Sequence, residues 1–337
     1  MEQTAVEKKF GKYVMASMIT MFLQSAYSMI DGLFVSNLIG DTALSAVNVA
    51  WPVIAVVTAI GTGVGCSGAV MMSTKQGEGK NEESNIVRAN VILALLASSI
   101  VVTILFLVLL TPLLKLMGAE GELLRLSQIY GRVMLTGGVL QILSCGLTPL
   151  LRNDNRAVSA MMIMVGGLFA NLGLDFVFMY VFHMGIGGAA GASLCAQLFT
   201  TLCCLIILGT KKTDPIRFSQ FMIRKEYWKK IFKTAVSPFG ISLTPSLLIL
   251  YHNVACLKFG GDLAVNAYAL ISSTVGSYRV LLIGVAEGIQ PLASYAYGAH
   301  DFHAIRKIRN KAVITAIGVS FFLFIFTIAT ARFYPAI

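Results

Sequence analysis

Long apolar runs dominate the chain, and short polar breaks separate them. Several runs are long enough to cross a bilayer, which takes ~20 apolar residues per helix. Nine spans are predicted, at roughly 14–39, 44–73, 87–111, 126–150, 157–182, 188–209, 234–259, 264–298 and 312–334. A membrane can be crossed only by helices or by a closed barrel of short alternating strands, and these runs are far too long for such strands. The expected fold is therefore all-α and polytopic. The breaks are short, as in "KQGEGKNEES" and "LRNDNRA", with one exception. Residues 210–230, "TKKTDPIRFSQFMIRKEYWKK", are long enough to join two sub-bundles, and Tyr227-Trp228 suits a helix lying at the membrane interface.

Composition supports this pattern. Of the 337 residues, 56% are hydrophobic and 12% are charged, about half the charge of a soluble chain. Mean hydropathy is +0.78. The net charge of +10 raises the possibility of nucleic-acid binding, but the distribution of the basic residues explains it better. With the N-terminus inside, 20 Lys and Arg fall on inner segments and five on outer ones, and Arg279 lies mid-span. That bias is the positive-inside signature of a membrane protein, and it removes nucleic acid as a partner. Lys8, Lys9 and Lys12 precede an apolar run from Met15 to Ile39 that is too long for a signal peptide, so it reads as a retained first span. The six cysteines lie in apolar segments without C-x-x-C spacing. They read as small buried hydrophobes, with no disulfide framework or zinc site. No nucleophile–base pair or cofactor motif stands out, so an enzyme is not expected.

The chain repeats itself. "GDTALSA" at 40–46 recurs as "GDLAVNA" at 261–267, an offset of 221 that also maps Ser73 on Ser294, Gly77 on Gly298 and Arg88 on Arg309. A constant offset over three segments points to duplication. Six spans separate the copies, so the repeat is parallel, about an axis along the membrane normal. The expected organisation is a six-helix N-lobe over 1–209, a cytoplasmic connector over 210–233, and a partial three-helix C-lobe over 234–337. Two complete copies would need about 442 residues, so the chain reads as C-terminally incomplete or as needing a partner.

Ionisable groups at membrane depth are costly and mark functional sites. Asp31 and Asp175 lie ~12 Å and ~10 Å from the outer ends of spans 1 and 5, in one layer. Asn171 shares a helix face with Asp175, and Ser193 enters at ~8 Å. Two carboxylates sharing a low-dielectric site rarely both stay ionised, so the site suits a shared proton. Alternatively, Asp31, Asn171, Asp175 and Ser193 form a Na⁺ site, or each acid simply accepts hydrogen bonds from a neighbouring helix. Glu287, Arg279, His252, Met29 and Gln24 are cavity candidates. Glu287 lines the inner cavity or snorkels, and Arg279 pairs with an acid or faces the cavity. His252 is the repeat partner of Asp31, and is either a titratable group at that depth or a satisfied core histidine. The glycine cluster "GTGVGCSG" (61–68) reads as close helix packing, because it lacks the lysine and strand context of a phosphate loop. Pro238 and Pro245 suggest a kinked seventh span.

"MIDGLFVSNLIGDTALSAV", "GVGCSGAVMMSTKQGEGK", "NLGLDFVFMYVFHMGIGGAAGAS" and "AEGIQPLASYAYGA", in that order, resemble multidrug and toxic compound extrusion (MATE) transporters of the bacterial DinF-like branch. The resemblance implies two six-helix lobes around a central cavity and a monomer when full length. It implies export of cationic hydrophobic compounds across the bacterial cell membrane in exchange for H⁺ or Na⁺, with no cofactor. It also implies an ion site at Asp31, Asn171, Asp175 and Ser193, where the serine stands in place of the usual threonine. A lipid-linked precursor flippase of the same superfamily, or a non-transporting fragment, are the alternatives. The flippase would need a cationic cavity, and few Lys or Arg lie within these spans.

Overall fold

The structure, a computed structural model, describes residues 3–210 and 220–330. Those residues form nine α-helices, α1 (Gln3–Leu38), α2 (Asp41–Gly77), α3 (Asn81–Leu116), α4 (Gly121–Thr136), α5 (Gly138–Leu151), α6 (Ala157–Asp175), α7 (Gly185–Gly209), α8 (Lys225–Gly298) and α9 (Phe302–Thr330), with π-helical turns at Arg152–Arg156 and Phe176–Val181. There is no strand among them. Helices end where the sequence carries polar, glycine-containing breaks. At the α2–α3 turn Gly79 takes φ +76, a conformation without steric cost only for glycine. Its N–H and that of Lys80 then bond back to Gln76 and Lys75 at 3.1 and 3.0 Å, satisfying carbonyls that the helix end would leave open.

Among the described residues six helical stretches are long and apolar enough to cross a membrane, and their grouping differs from the predicted one. The fourth and fifth form one apolar stretch, Gly138–Val181. Asp154 (ψ 28) and Asn155 (φ 62) break it, turning the chain between α5 and α6. Asparagine tolerates that left-handed conformation. The predicted start of span 4 belongs to α4, cut off at Gly137.

The seventh and eighth spans run on as the single helix α8, where a loop was expected near 260–263. A straight helix of that length would extend ~110 Å, yet α8 doubles back. The His252 and Tyr268 rings, 16 residues apart, stack with centroids 5.0 Å apart. Ile231 and Pro291 also both bond to the same stretch of α2, through Ser67 at 2.9 Å and Ser73 at 3.2 Å. The helix therefore has two antiparallel limbs, as the two predicted spans require. The reversal falls between His252 and Tyr268, around the "GGD" at 260–262.

The connector is corrected too. Residues 211–219 lie outside the described residues, and Phe221, Tyr227 and Trp228 pack against the core instead of forming a separate interfacial helix.

The main core is built from α2, α3 and α5, with Ile54, Val57, Met72, Val87, Leu95, Ile142, Leu147 and Leu150 all buried. The glycine cluster sets how close these helices come. A Cβ on Gly65 would lie 2.4 Å from Gly146 Cα, and one on Gly61 would lie 2.7 Å from Ile142 O. A second core joins α1 to the returning limb of α8 and to α9 through Tyr13, Val14, Val285, Leu292, Ala296 and Ile308. There Gly284 and Gly288 approach the α1 backbone at Met18 and Val14. The contacts of this second core lie toward the end of the molecule carrying the basic loops. Further along, the first limb of α8 is exposed at Ile241, Leu247 and Phe259.

Candidate functional site

Polar side chains from four helices meet inside the first six spans. Asn171 and Asp175 are one turn apart on α6, which places them on one face, and both are buried, Asp175 completely. The Asn171 amide donates to Asp175 Oδ2 at 3.2 Å. Tyr27, on α1, donates its hydroxyl to Asn171 Oδ1 and lies 3.5 Å from Asp175 Oδ2. Asp31, one turn further along α1, lies against both the Asp175 carboxyl and the Tyr27 hydroxyl. Ser193 on α7 approaches the same hydroxyl. Tyr130 of α4, almost fully buried, lies within electrostatic reach of both acids. So the four residues singled out from depth alone lie in one cluster.

Two of its oxygens matter most. Asp31 Oδ1 and Asp175 Oδ1 are both buried and accept no hydrogen bond. A buried carboxylate oxygen without a donor costs several kcal/mol unless a proton or cation meets it. The donor set consists entirely of oxygens: two carboxyls, an amide carbonyl, a serine hydroxyl and phenols. Such a set suits a proton or a hard cation, not a soft metal.

Tyr27 and Tyr130 were not singled out from sequence. Tyr27 was findable, since it precedes Asp31 by one helical turn. Tyr130 carries no such signal, because only the packing of α4 brings it in.

The other candidates lie elsewhere. Glu287 forms an ion pair with Arg152 at the basic end, in place of a free cavity acid. His252 is exposed; its Nδ1 lies 2.7 Å from the Leu248 carbonyl and its ring stacks on Tyr268. It is therefore not a core histidine. Arg279 is half-buried and forms no ion pair with an acid among the described residues. Gln24 is exposed on α1, and the Met29 side chain lies outside the described residues. "LRNDNRA", expected as a solvent loop, buries Arg152, Asn153 and Asp154. Asp154 pairs at 2.9 Å with Arg88, itself fully buried.

The MatE family profile matches residues 16–177 and 241–336. The chain belongs to this family. It is therefore a multi-pass membrane transporter and not an enzyme. The multidrug export protein MepA of Staphylococcus aureus strain N315 is 26% identical over 326 residues, covering 95% of this chain and 70% of MepA. MepA of Staphylococcus saprophyticus is 24% identical over 318 residues, covering 94% and 70%. Among solved structures, an outward-facing multidrug resistance MATE transporter superposes with TM-score 0.89 at 26% identity, covering 96% of this chain and 72% of that one. A MOP-superfamily transporter from Pyrococcus furiosus, whose pocket of reverse polarity suggests a different function, superposes with TM-score 0.91 at 25% identity, covering 97% and 72%.

Proposed function

We propose that this MATE protein is a multidrug antiporter driven by H⁺ or Na⁺ bound at Asp31 and Asp175. One observation carries the reading. Two carboxyls from α1 and α6 lie against each other, each with a buried oxygen that accepts no hydrogen bond. Their mutual repulsion is relieved when a cation or proton enters. Asn171 and Tyr27 orient the acids, and Ser193 closes the shell. If Na⁺ is the ion, Asp31, Asn171, Asp175 and Ser193 hold it, and it supplies the neutralising charge. Because the site joins α1 to α6, binding there favours one arrangement of these helices. Drug binding favours the other, and each ligand shifts the balance only by its differential affinity. Export of drugs is supported by the name of the MepA relatives, multidrug export protein, and the drug is read as a cationic amphipath from the family resemblance.

The chain lies in the bacterial plasma membrane with its N-terminus and basic loops in the cytoplasm, a placement supported by the Lys and Arg bias. It works as a monomer when full length. The domain reading is proposed in the same way: an N-lobe over 1–209, a connector, and a partial C-lobe over 234–337.

The test is efflux of a fluorescent cation from proteoliposomes under an imposed H⁺ or Na⁺ gradient. Asp31→Asn is expected to abolish gradient-driven efflux while inserting normally. Wild-type efflux from well-inserted Asp31→Asn would sink the coupling role.

A further inference from the structure

A second buried polar cluster takes no part in the cation site. The turn 152–156 is held to the first half by three helices. Gln76 Nε2 and Arg88 Nη2 donate to Asp154 Oδ1 at 3.0 and 2.9 Å, and the Tyr13 hydroxyl reaches Asn155 Oδ1 at 3.4 Å. Both side chains of the Arg88–Asp154 pair are completely buried, so the turn is rigidly mounted. From it, Arg152 and Asn153 reach across to the returning limb of α8. Arg152 donates to Glu287, and Asn153 accepts from Ser294 Oγ at 3.3 Å.

Close by, α2 crosses the same limb with no clearance. A Cβ on Gly298 would lie 2.0 Å from Thr74 O, and one on Gly77 would lie 2.1 Å from Tyr295 O. Gly77 and Gly298 are equivalents under the offset of 221. A residue can touch its own two-fold equivalent only near the axis relating them. The two halves of the protein therefore meet here on their pseudo-axis, at the basic mouth.

We propose that the Arg152–Glu287 pair, together with the Gly77/Gly298 crossing, is a latch that holds the cytoplasmic mouth closed. The two charges sit on different halves, so separating the halves must separate them. The bond is reversible by its chemistry. Opening admits water, which solvates both charges and replaces the lost hydrogen bonds. The apolar contacts of α2 with α5 have no such replacement and stay fixed. The purpose of the latch rests on the alternating-access reading, but its existence can be tested without any transport.

Cys66 on α2 is a native reporter, because it is buried beside Arg152, Glu287 and Gln290. With the other five cysteines changed to alanine, its labelling by a membrane-impermeant maleimide is followed in inverted vesicles. Slow labelling is expected in the parent. Glu287→Gln should accelerate it at least about tenfold, a shift of about 1.4 kcal/mol in the closed–open balance. The swap Arg152→Glu with Glu287→Arg should restore the slow rate. Gly298→Ala, which wedges the crossing apart, is the second variant and should also accelerate labelling. An unchanged rate in both variants overturns the latch, and so does acceleration that the swap fails to reverse. Thiol access reads the latch alone, whereas efflux from Asp31→Asn reads the coupling alone.

Discussion

Tyr27 shows how one side chain organises a site at membrane depth. Its hydroxyl bonds to Asn171 and reaches Asp175, while Asp31 and Ser193 lie against it. Tyr27→Phe keeps the ring and removes only these contacts. A hydrogen bond to a charged group is worth about 1.5–3 kcal/mol, so gradient-driven efflux should fall about tenfold or more, with unchanged insertion. Initial efflux rates in proteoliposomes check this. Asp154 is the contrasting case. Asp154→Ala leaves Arg88 buried and without its carboxylate, which costs about 3–5 kcal/mol. That loss should appear as a large drop in thermal stability in detergent, not as a selective change in coupling. Asp31 and Asp175, the acids of the proposed cation site, were legible in sequence because a carboxylate inside an apolar run has no cheap explanation. Asp154 was not, because its neighbours Asn153, Asn155 and Arg156 make the segment look like any polar loop.

Helices in this protein approach one another as closely as their glycines allow. A Cβ on Gly65 would lie only 2.4 Å from Gly146 Cα, so there is no room for one. Gly65→Val must push α2 from α5, and overpacking of this kind costs about 1–3 kcal/mol or more. Thermal unfolding of the purified variant is the measurement, and a lowered midpoint is the expected result. α8 offers a second check. Its limbs bring His252 against Tyr268, so a His252→Cys/Tyr268→Cys variant should form an internal disulfide on mild oxidation. The mobility shift should be absent from either single variant, and a straight helix would leave these positions ~24 Å apart. The apolar run lengths made the membrane-length helices legible. The grouping of spans into helices was not, because hydropathy is blind to whether a "GGD" or "RNDNR" break bends the backbone sharply or gently.

At the scale of the molecule, contacts between the two halves concentrate at the basic end. α1 meets the returning limb of α8 at Val14 and Met18, and α2 meets it from Ser73 to Gly77. An impermeant thiol reagent should distinguish the two faces. Single cysteines placed at Gly79 and Ala299 should label only in inverted vesicles. Single cysteines at Gly118 and His183 should label only in right-side-out ones. Labelling of all four from the same side would overturn the orientation.

Much of this protein was determined by its sequence alone. Long apolar runs with few charges mark membrane helices, while the Lys and Arg bias and the constant offset of 221 are the grounds for the proposed orientation and duplication. Depth counting even placed Asp31, Asn171, Asp175 and Ser193 in one layer, because the rise of a helix is fixed by its hydrogen bonds. Layer, however, is one coordinate of three. Which helix faces which, and therefore that Tyr27 and Tyr130 join the acids and that Glu287 meets Arg152, depends on side-chain packing between segments far apart in the chain. Only the tertiary structure decides that.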